Sequence, residues 1–219
     1  MQVVVVASGD FAPGDDAWLD RADFVIAADG GATSLHRLGR RPHRLVGDLD
    51  SADPAIVAEL GEAGVAIHRA PTDKDASDTE LAVDEARRAG ATSVIVLGAL
   101  GGDRLDHALA NLLLLADPDL AGLDVACVRG QTLVRVARGG GARVPLRGTT
   151  GDLVTLLPLG GDAAGVRTSG LRWPLDGATL RVGRSRGLSN VIDEAPASVE
   201  LDIGTLLIIE TAIEGGSTP

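Results

Sequence analysis

Aromatic side chains are scarce in this chain of 219 residues: they make up only 2 %, with two Trp, two Phe and no Tyr. Val, Leu, Ile and Ala therefore have to fill the interior. Hydrophobic residues amount to 45 % of the chain, and aliphatic side chains reach normal packing density without rings, so a core can still be built. The length suffices for one large domain or two small ones.

Cysteine is nearly absent as well. The single cysteine, Cys127, lies in the apolar run at 123–128, which favours a small core residue over a nucleophile, and one cysteine excludes a disulfide bond within the chain. No apolar stretch approaches the ~20 residues of a membrane-spanning helix, and the first ten residues lack the basic region of a signal peptide. We therefore expect a cytoplasmic protein with no membrane partner.

Positive charge is also in short supply. The 20 Lys and Arg residues stand against 31 Asp and Glu, which gives a formal net charge of −11. Such a chain repels nucleic-acid backbones and anionic membrane surfaces at long range, so we expect no nucleic-acid partner. A phosphate-bearing ligand would need local cations, backbone N–H groups or a metal ion.

Strand and helix patterns alternate in the first half of the chain. Strands are predicted at 3–7, 24–28, 44–46, 66–68 and 93–97, with helices at 33–38, 54–62, 80–89 and 106–116. This alternation predicts a three-layer α/β domain with a mostly parallel sheet, to which we assign residues 1–138. Six short strand-like runs and Gly-rich turns then predict an all-β sandwich or barrel over residues 139–219.

Carboxylates follow the predicted strands, at the sheet edge where open α/β folds bind ligands. Asp29 precedes two glycines, and Asp48 and Asp50 are two residues apart. On an extended segment Asp48 and Asp50 face the same side, where they repel each other unless a cation lies between them. We therefore predict that this pair binds a metal ion such as Mg²⁺, which prefers oxygen ligands. The alternative is that Asp50, Ser51 or Asp53 caps the next helix, at Pro54.

A second acidic stretch holds three carboxylates, Asp73, Asp75 and Asp78, around Lys74. Capping a helix needs only one acidic group, so three favour a functional role. Lys74 supplies a point charge suited to a phosphate or to balancing the acids. Acidic clusters without paired Cys or His indicate a hard divalent cation rather than zinc.

A glycine turn after the strand at 93–97 is a candidate phosphate site. Gly101 and Gly102 let backbone N–H groups approach a phosphate near a helix start, and Arg104 can bind phosphate oxygens bidentately. The segment matches neither GxGxxG nor the P-loop pattern. His107 is either a ligand contact or an ordinary helix histidine.

Two features of the second half could touch a ligand. Trp173, in the turn before Pro174, either stacks on a flat ligand or fills a packing gap. Ser189 and Asn190 offer a hydroxyl and an amide, in a pattern that is also typical of a β-turn.

Taken in order, segments 28–32, 47–51, 74–80, 101–107, 173–175 and 189–190 resemble the thiamine diphosphokinase (thiamine pyrophosphokinase) family. Each segment is weak alone, and their ordered spacing is specific. The resemblance implies pyrophosphoryl transfer from ATP to thiamine. Two departures are Ser77, where relatives usually have Thr, and Asp103, inserted where relatives often pass directly from Gly-Gly to Arg.

The resemblance further implies a homodimer with an α/β ATP domain, a β-sandwich domain and thiamine bound between subunits. Asp48, Asp50 and Asp78 would hold Mg²⁺ and, with Arg104, carry catalysis. The expected ATP contacts are Asp29, Gly30, Gly31, Lys74, Asp75, Gly101, Gly102, Arg104, Asp106 and His107. The expected thiamine contacts are Trp173, Ser189, Asn190, Asp50 and Ser51.

Three other functions remain open from the residues themselves. A pyrophosphokinase of this architecture could act on another alcohol, such as a hydroxymethylpterin. A non-catalytic nucleotide or thiamine sensor would bind ligand without releasing AMP. A structural scaffold would not bind ATP in a magnesium-dependent way.

Overall fold

The computed structural model describes residues 1–213. Two compact units divide the chain after Gly130, whereas the boundary predicted from the sequence lies after Arg138. The difference arises because strand Thr132–Arg138 pairs along its whole length with strand Thr205–Thr211, so it belongs to the second unit.

The first unit is the predicted α/β fold. Its strands, which pair in parallel throughout, are β1 (Gln2–Val6), β2 (Phe24–Ala28), β3 (Arg44–Gly47), β4 (Ala66–Arg69), β5 (Ser93–Leu97) and β6 (Asp124–Arg129). Its helices are α1 (Gly31–Arg37), α2 (Pro54–Glu62), α3 (Asp78–Arg88) and α4 (Leu105–Leu114). Among the described residues, no helix is both long and apolar enough to cross a membrane.

The central strands are buried on both faces. The four valines of β1 are fully buried, as a continuous β-branched run predicts for a parallel strand covered by helices. Helix α3 packs against β1, β2 and β3. It begins at Asp78, two residues before the predicted start, because Ser77 Oγ caps it by accepting the N–H of Glu80 at 3.2 Å.

Three elements of this unit were not predicted, one of them the short 3-10 helix Pro118–Leu120. The apolar run around Cys127 forms β6, which pairs with β5. A 3-10 helix covers Asp15–Arg21, where the buried Asp15 carboxylate accepts the N–H groups of Ala12 and Gly130, both at 2.7 Å. The hydrogen bond to Gly130 links distant parts of the chain and is not visible as a local sequence pattern.

The strand order β6-β5-β1-β2-β3-β4 defines where a ligand can enter. From β1 the chain builds the sheet outward on one side through β4, and then returns to place β5 on the other side of β1. Loops that leave β1 and β5 therefore diverge and open a crevice at the carboxyl ends of these strands.

The second unit contains two antiparallel sheets. In one, β12 (Asn190–Val191), β9 (Leu153–Pro158), β14 (Thr205–Thr211) and β7 (Thr132–Arg138) lie side by side in this order. The other has the order β11 (Ala178–Leu180), β10 (Ala163–Ser169), β13 (Ser198–Glu200) and β8 (Val144–Pro145). Buried side chains from both sheets, such as Leu156, Ile208 and Val199, form one core, so the predicted sandwich is confirmed.

Candidate active site

A pocket of about 500 Å³ lies in the first unit at the carboxyl ends of its strands. The loops after β1, β2, β3 and β5 form its wall, together with the segment before α3 and one face of α4. The predicted site residues that line it are Asp29, Asp48, Asp50, Ser51, Lys74, Asp78, Gly101, Gly102, Arg104 and His107. Residues that are spread over positions 29–107 of the sequence thus meet in one place.

Three carboxylates of the pocket are close enough to share a metal ion. Asp29, Asp48 and Asp78 each offer an oxygen within 4.8 Å of the others. Three hard oxygen donors fit Mg²⁺ or Mn²⁺ and do not fit a soft-metal site. We call these three residues the carboxylate cluster.

The cluster differs from the predicted trio, because Asp29 takes the place of Asp50. The prediction assumed an extended segment in which Asp48 and Asp50 face the same side. Leu49, however, has a φ of +67°, a left-handed conformation that breaks the alternation of an extended strand. Asp50 still lines the pocket, where its carboxylate accepts the Ser51 hydroxyl at 2.9 Å.

Asp29 is held in the cluster by the backbone that precedes α2. Its two carboxylate oxygens accept the N–H groups of Ser51 and Ala52, each at 3.2 Å. Burial raises the pKa of Asp29, and the negative charges of Asp78 and Asp50 act in the same direction, against the hydrogen bonds from Ser51. A nearby cation would therefore relieve an unfavourable charge at this position.

Lys74 bridges the other two members of the cluster. Its Nζ lies 2.8 Å from Asp48 Oδ2 and 3.1 Å from Asp78 Oδ1. The hydrogen bond from Lys74, together with the Asp50 N–H, holds the pKa of Asp48 below its ordinary value. Partial burial works to lower the pKa of Lys74, but the two carboxylates outweigh it and raise that pKa.

The loop after β5 packs so closely on the loop after β1 that their backbones are in direct contact. The Gly9 N–H donates to Gly98 O at 3.1 Å, and a Cβ on Gly101 would lie 2.3 Å from Asp10 O. Only glycine fits there. From α4, the buried Asn111 amide donates to Ala99 O at 2.9 Å, which fixes the other side of the loop.

Arg104 lies at the rim of the pocket and is paired with Asp106. Arg104 Nε and Nη2 donate to the two oxygens of Asp106 at 2.9 and 2.6 Å, with both side chains exposed. This pairing holds the pKa of Asp106 well below its ordinary value. Asp106 therefore touches the arginine that lines the pocket and is itself outside the lining.

Three further predicted ATP contacts lie outside the lining residues. Gly30 and Gly31 open α1, and a Cβ on Gly31 would lie 2.0 Å from Val6 O, so close packing of α1 against β1 explains that glycine. Asp75 is exposed.

The predicted thiamine contacts of the second unit lie on neighbouring loops. Trp173 is 57 % exposed, so it does not fill a packing gap. Asn190 fixes its backbone twice: Oδ1 accepts the Trp173 N–H at 3.1 Å, and Nδ2 donates to the Trp173 carbonyl at 2.7 Å. Ser189, with a φ of +54°, donates its N–H to Thr155 Oγ1 at 3.0 Å.

Sequence reasoning missed several lining residues, among them Ser8, Gly9, Thr72 and Asn111. Ser8 and Gly9 follow β1 directly, so the rule applied to the other strand ends would have found them. Asn111 is a polar residue in the otherwise apolar stretch 108–114 of α4, which is also a usable signal. Thr72 carries no such signal.

Comparison with known proteins gives one consistent family. The model described as "Thiamin pyrophosphokinase, catalytic domain" matches residues 16–126, and the one described as "Thiamin pyrophosphokinase, vitamin B1 binding domain" matches residues 143–206. The chain is 26 % identical over 208 residues to thiamine pyrophosphokinase 1 of Oryza sativa subsp. japonica, covering 84 % of this chain and 77 % of that protein. It is 23 % identical to the thiamine pyrophosphokinase of Bacillus subtilis, over 94 % and 97 % of the two chains.

The crystal structure of the Bacillus subtilis protein is similar throughout. It superposes with a TM-score of 0.84 and 21 % identity, covering 97 % of this chain and 99 % of that one. At this identity the similarity establishes the two-domain fold.

Proposed function

The chain belongs to the thiamin pyrophosphokinase family, and from that premise we propose that it transfers a pyrophosphoryl group from ATP to the hydroxyl of thiamine, giving thiamine diphosphate and AMP. The observation that carries the proposal is the pocket of the first unit. There a carboxylate cluster suited to a divalent cation lines the same wall as a glycine loop and an arginine suited to phosphates. An alternative acceptor such as a hydroxymethylpterin is not favoured by the family comparison.

Each group of the pocket has a role in this proposal. Asp29, Asp48 and Asp78 hold the cation, for which we propose Mg²⁺. When bound, the ion supplies positive charge that offsets the charge developing on the phosphate oxygens. Gly101 and Gly102 offer backbone N–H groups, and Arg104 binds phosphate oxygens once it exchanges Asp106 for them.

The reaction is a displacement at phosphorus. The thiamine hydroxyl oxygen bonds to the β-phosphorus of ATP, the bond from that phosphorus to the oxygen bridging to the α-phosphate breaks, and AMP leaves. The hydroxyl proton passes to a carboxylate. We assign this step to Asp50, because it lies on the pocket wall outside the cluster, whereas Asp78 is engaged by Lys74.

The acceptor half of the proposal involves the second unit. Exposed Trp173 stacks on a ring of thiamine, and Ser189 and Asn190 lie beside it. We propose that the protein works as a homodimer with thiamine bound between subunits, as the family resemblance implies. A cytoplasmic location remains a prediction from the sequence.

The direct test is to incubate the protein with ATP, Mg²⁺ and thiamine and to resolve the products by chromatography. We expect AMP and thiamine diphosphate in equal amounts. ADP in place of AMP would contradict pyrophosphoryl transfer. Turnover of a hydroxymethylpterin in place of thiamine would retain the phosphate chemistry and overturn the acceptor.

Asp48→Asn tests the cluster. It replaces a charged ligand by a neutral one of the same shape, so AMP formation should fall by at least about a hundredfold while the thermal unfolding midpoint changes little. The matched control is Asp84→Asn on α3, whose carboxylate pairs with Arg87 and Arg88 outside the pocket. Near-normal turnover of Asp48→Asn would remove Asp48 from the metal site.

A further inference from the structure

The only lysine of the chain stands in the proposed metal site. Of the 20 basic residues, Lys74 is the single lysine and all others are arginines. This chain thus uses guanidinium groups wherever it needs a positive charge, except between Asp48 and Asp78. The position therefore points to a property that an ammonium group has and a guanidinium group lacks.

Lys74 and the proposed cation use the same two carboxylates. Lys74 Nζ is within hydrogen-bond distance of both Asp48 and Asp78, and these are two of the three members of the carboxylate cluster. The Lys74 and Asp48 side chains are only 14 % and 9 % exposed, so water screens their charges weakly. An ammonium group and a divalent cation on the same carboxylates repel each other strongly.

Resting on the proposed function, we propose that Lys74 is a positioning residue that occupies the place of the divalent cation. It holds Asp48 and Asp78 together in the free protein. It then gives up these carboxylates to the incoming cation and carries its charge to the phosphates of the nucleotide. Lys74 lines the same pocket as Gly101 and Gly102, so a phosphate bound there lies within the same space.

The surrounding structure allows Lys74 to move while the carboxylates stay. Asp48 directly follows β3, and its N–H donates to Asp78 Oδ1 at 3.3 Å. Asp78 lies in the first turn of α3, which Ser77 caps. Lys74, by contrast, lies in the segment between β4 and α3 that belongs to neither element.

The choice of lysine fits an exchange better than it fits a permanent ion pair. A guanidinium group binds carboxylates as a rigid fork with two parallel hydrogen bonds, whereas an ammonium group is a compact charge on a flexible stem with rotatable donors. The free cluster carries three carboxylates, which repel each other without a counterion. Lys74 offsets part of that repulsion and can still leave.

The first test measures cation affinity without nucleotide. Mn²⁺ serves as the probe, and its free concentration is read by electron paramagnetic resonance. Lys74→Met removes the competing charge at similar volume, so it should bind Mn²⁺ about fivefold or more tightly than the unmodified protein. Arg37→Met, which removes an exposed charge at the end of α1, should not change the affinity. Equal or weaker Mn²⁺ binding by Lys74→Met overturns the proposal.

The second test uses the unmodified protein, so it holds even if Lys74→Met folds poorly. Because there is one lysine, isotope-labelled lysine gives a single side-chain ammonium signal in an NMR spectrum, and its acylation rate is read by peptide mass spectrometry. Mg²⁺ alone should shift the signal and speed acylation. Further addition of a non-hydrolysable ATP analogue should slow acylation again. An ammonium signal and an acylation rate that do not change when Mg²⁺ is added overturn the proposal.

Failure of this inference can be told apart from failure of the proposed function. If the protein forms AMP and thiamine diphosphate but the Lys74 signal and acylation rate do not respond to the metal, only the role of Lys74 is wrong. If the protein forms neither product and binds no Mn²⁺ with or without nucleotide, the proposed function and this inference both fail.

Discussion

Lys74 and Arg104, two basic side chains of the pocket wall, are both bound to carboxylates in the free protein. A nucleotide that recruits them has to break these pairs first. For Arg104 the cost is small, because both partners are exposed and water screens the attraction between them. For Lys74 the cost is larger and falls when a cation takes over the carboxylates.

Cys127 allows a prediction from its pKa. The thiol is 1 % exposed, and burial raises its pKa to about 12, so at pH 8 only about one thiol in ten thousand is the reactive thiolate. Iodoacetamide should leave the folded protein unlabelled at pH 8, whereas the urea-unfolded chain should be labelled within minutes. Mass spectrometry reads both. Rapid labelling of the folded protein would contradict a buried, unreactive thiol.

At the residue scale, the gathering of acidic side chains at one sheet edge was predictable from sequence, whereas the three carboxylates that come closest together were not. The carboxyl ends of parallel strands meet at one edge of the sheet, so the acidic turns after the strands were expected to lie together. Carboxylates that lie together predict a divalent cation. That Asp50 lies outside the cluster depends on the backbone of Leu49, whose φ of +67° is rare for a leucine and is not encoded in a local pattern. The role of Asn111 depends on a contact with Ala99, which only the folded chain brings together.

The start of α3 is an element whose capping should affect the site. Ser77→Ala removes the hydrogen bond to the Glu80 N–H and should cost about 1 kcal/mol of stability. Because Asp78 lies in the same first turn, Mn²⁺ affinity should fall as well. Both effects can be measured, by thermal unfolding and by electron paramagnetic resonance.

The control for this prediction is the cap of α2. Asp53 Oδ1 accepts the Ala55 N–H at 2.8 Å, so Asp53→Ala should cost a similar free energy of unfolding. Helix α2 itself carries none of Asp29, Asp48 and Asp78, and its cap is linked to the cluster only through the neighbouring Ala52 N–H, which binds Asp29. Mn²⁺ affinity should therefore fall less than in Ser77→Ala. Equal losses of Mn²⁺ affinity in the two variants would contradict a specific role for the first turn of α3.

The loop that carries Trp173 gives a second prediction for an element. Asn190→Asp keeps the acceptor for the Trp173 N–H and loses the donor to the Trp173 carbonyl. We expect KM for thiamine to rise about tenfold, which corresponds to about 1.4 kcal/mol, with KM for ATP unchanged. In a double-mutant cycle with Trp173→Ala the two effects should not add, because Asn190 acts through Trp173. Additive effects would show that Asn190 acts independently.

Elements were predicted best where a continuous β-branched run or a capping residue marks them in the sequence. The β-branched runs of β1, β2 and β5 and the caps of α2 and α3 carry their own signals. The 3-10 helix Asp15–Arg21 has no such signal in the sequence. It is held by Asp15, whose carboxylate accepts the N–H of the distant Gly130. For α4, the apolar residues Leu109 and Leu113 are exposed in this structure, so helical periodicity alone did not define a buried face.

The net charge of −11 is a property of the whole molecule with a kinetic consequence. Thiamine is a cation, so the field of the protein should speed its encounter. Raising ionic strength from about 0.01 M to about 0.1 M shortens the Debye length from about 30 Å to about 10 Å. We expect kcat/KM for thiamine to fall several-fold and kcat to change little.

ATP provides the internal control for this effect. As an anion it is repelled by the same field, so its kcat/KM should rise or stay constant over the same salt range. A parallel loss for both substrates would indicate a general effect of salt on the enzyme rather than electrostatic attraction of thiamine.

All lining residues of the pocket lie between Ala7 and Asn111 in the sequence. During translation every lining residue of the pocket therefore leaves the ribosome before the second unit, which begins at Gln131, does so. A nucleotide that binds the emerging first unit stabilises it by mass action. We therefore expect ATP, the proposed substrate, to assist the folding of this protein while the chain is still being synthesised.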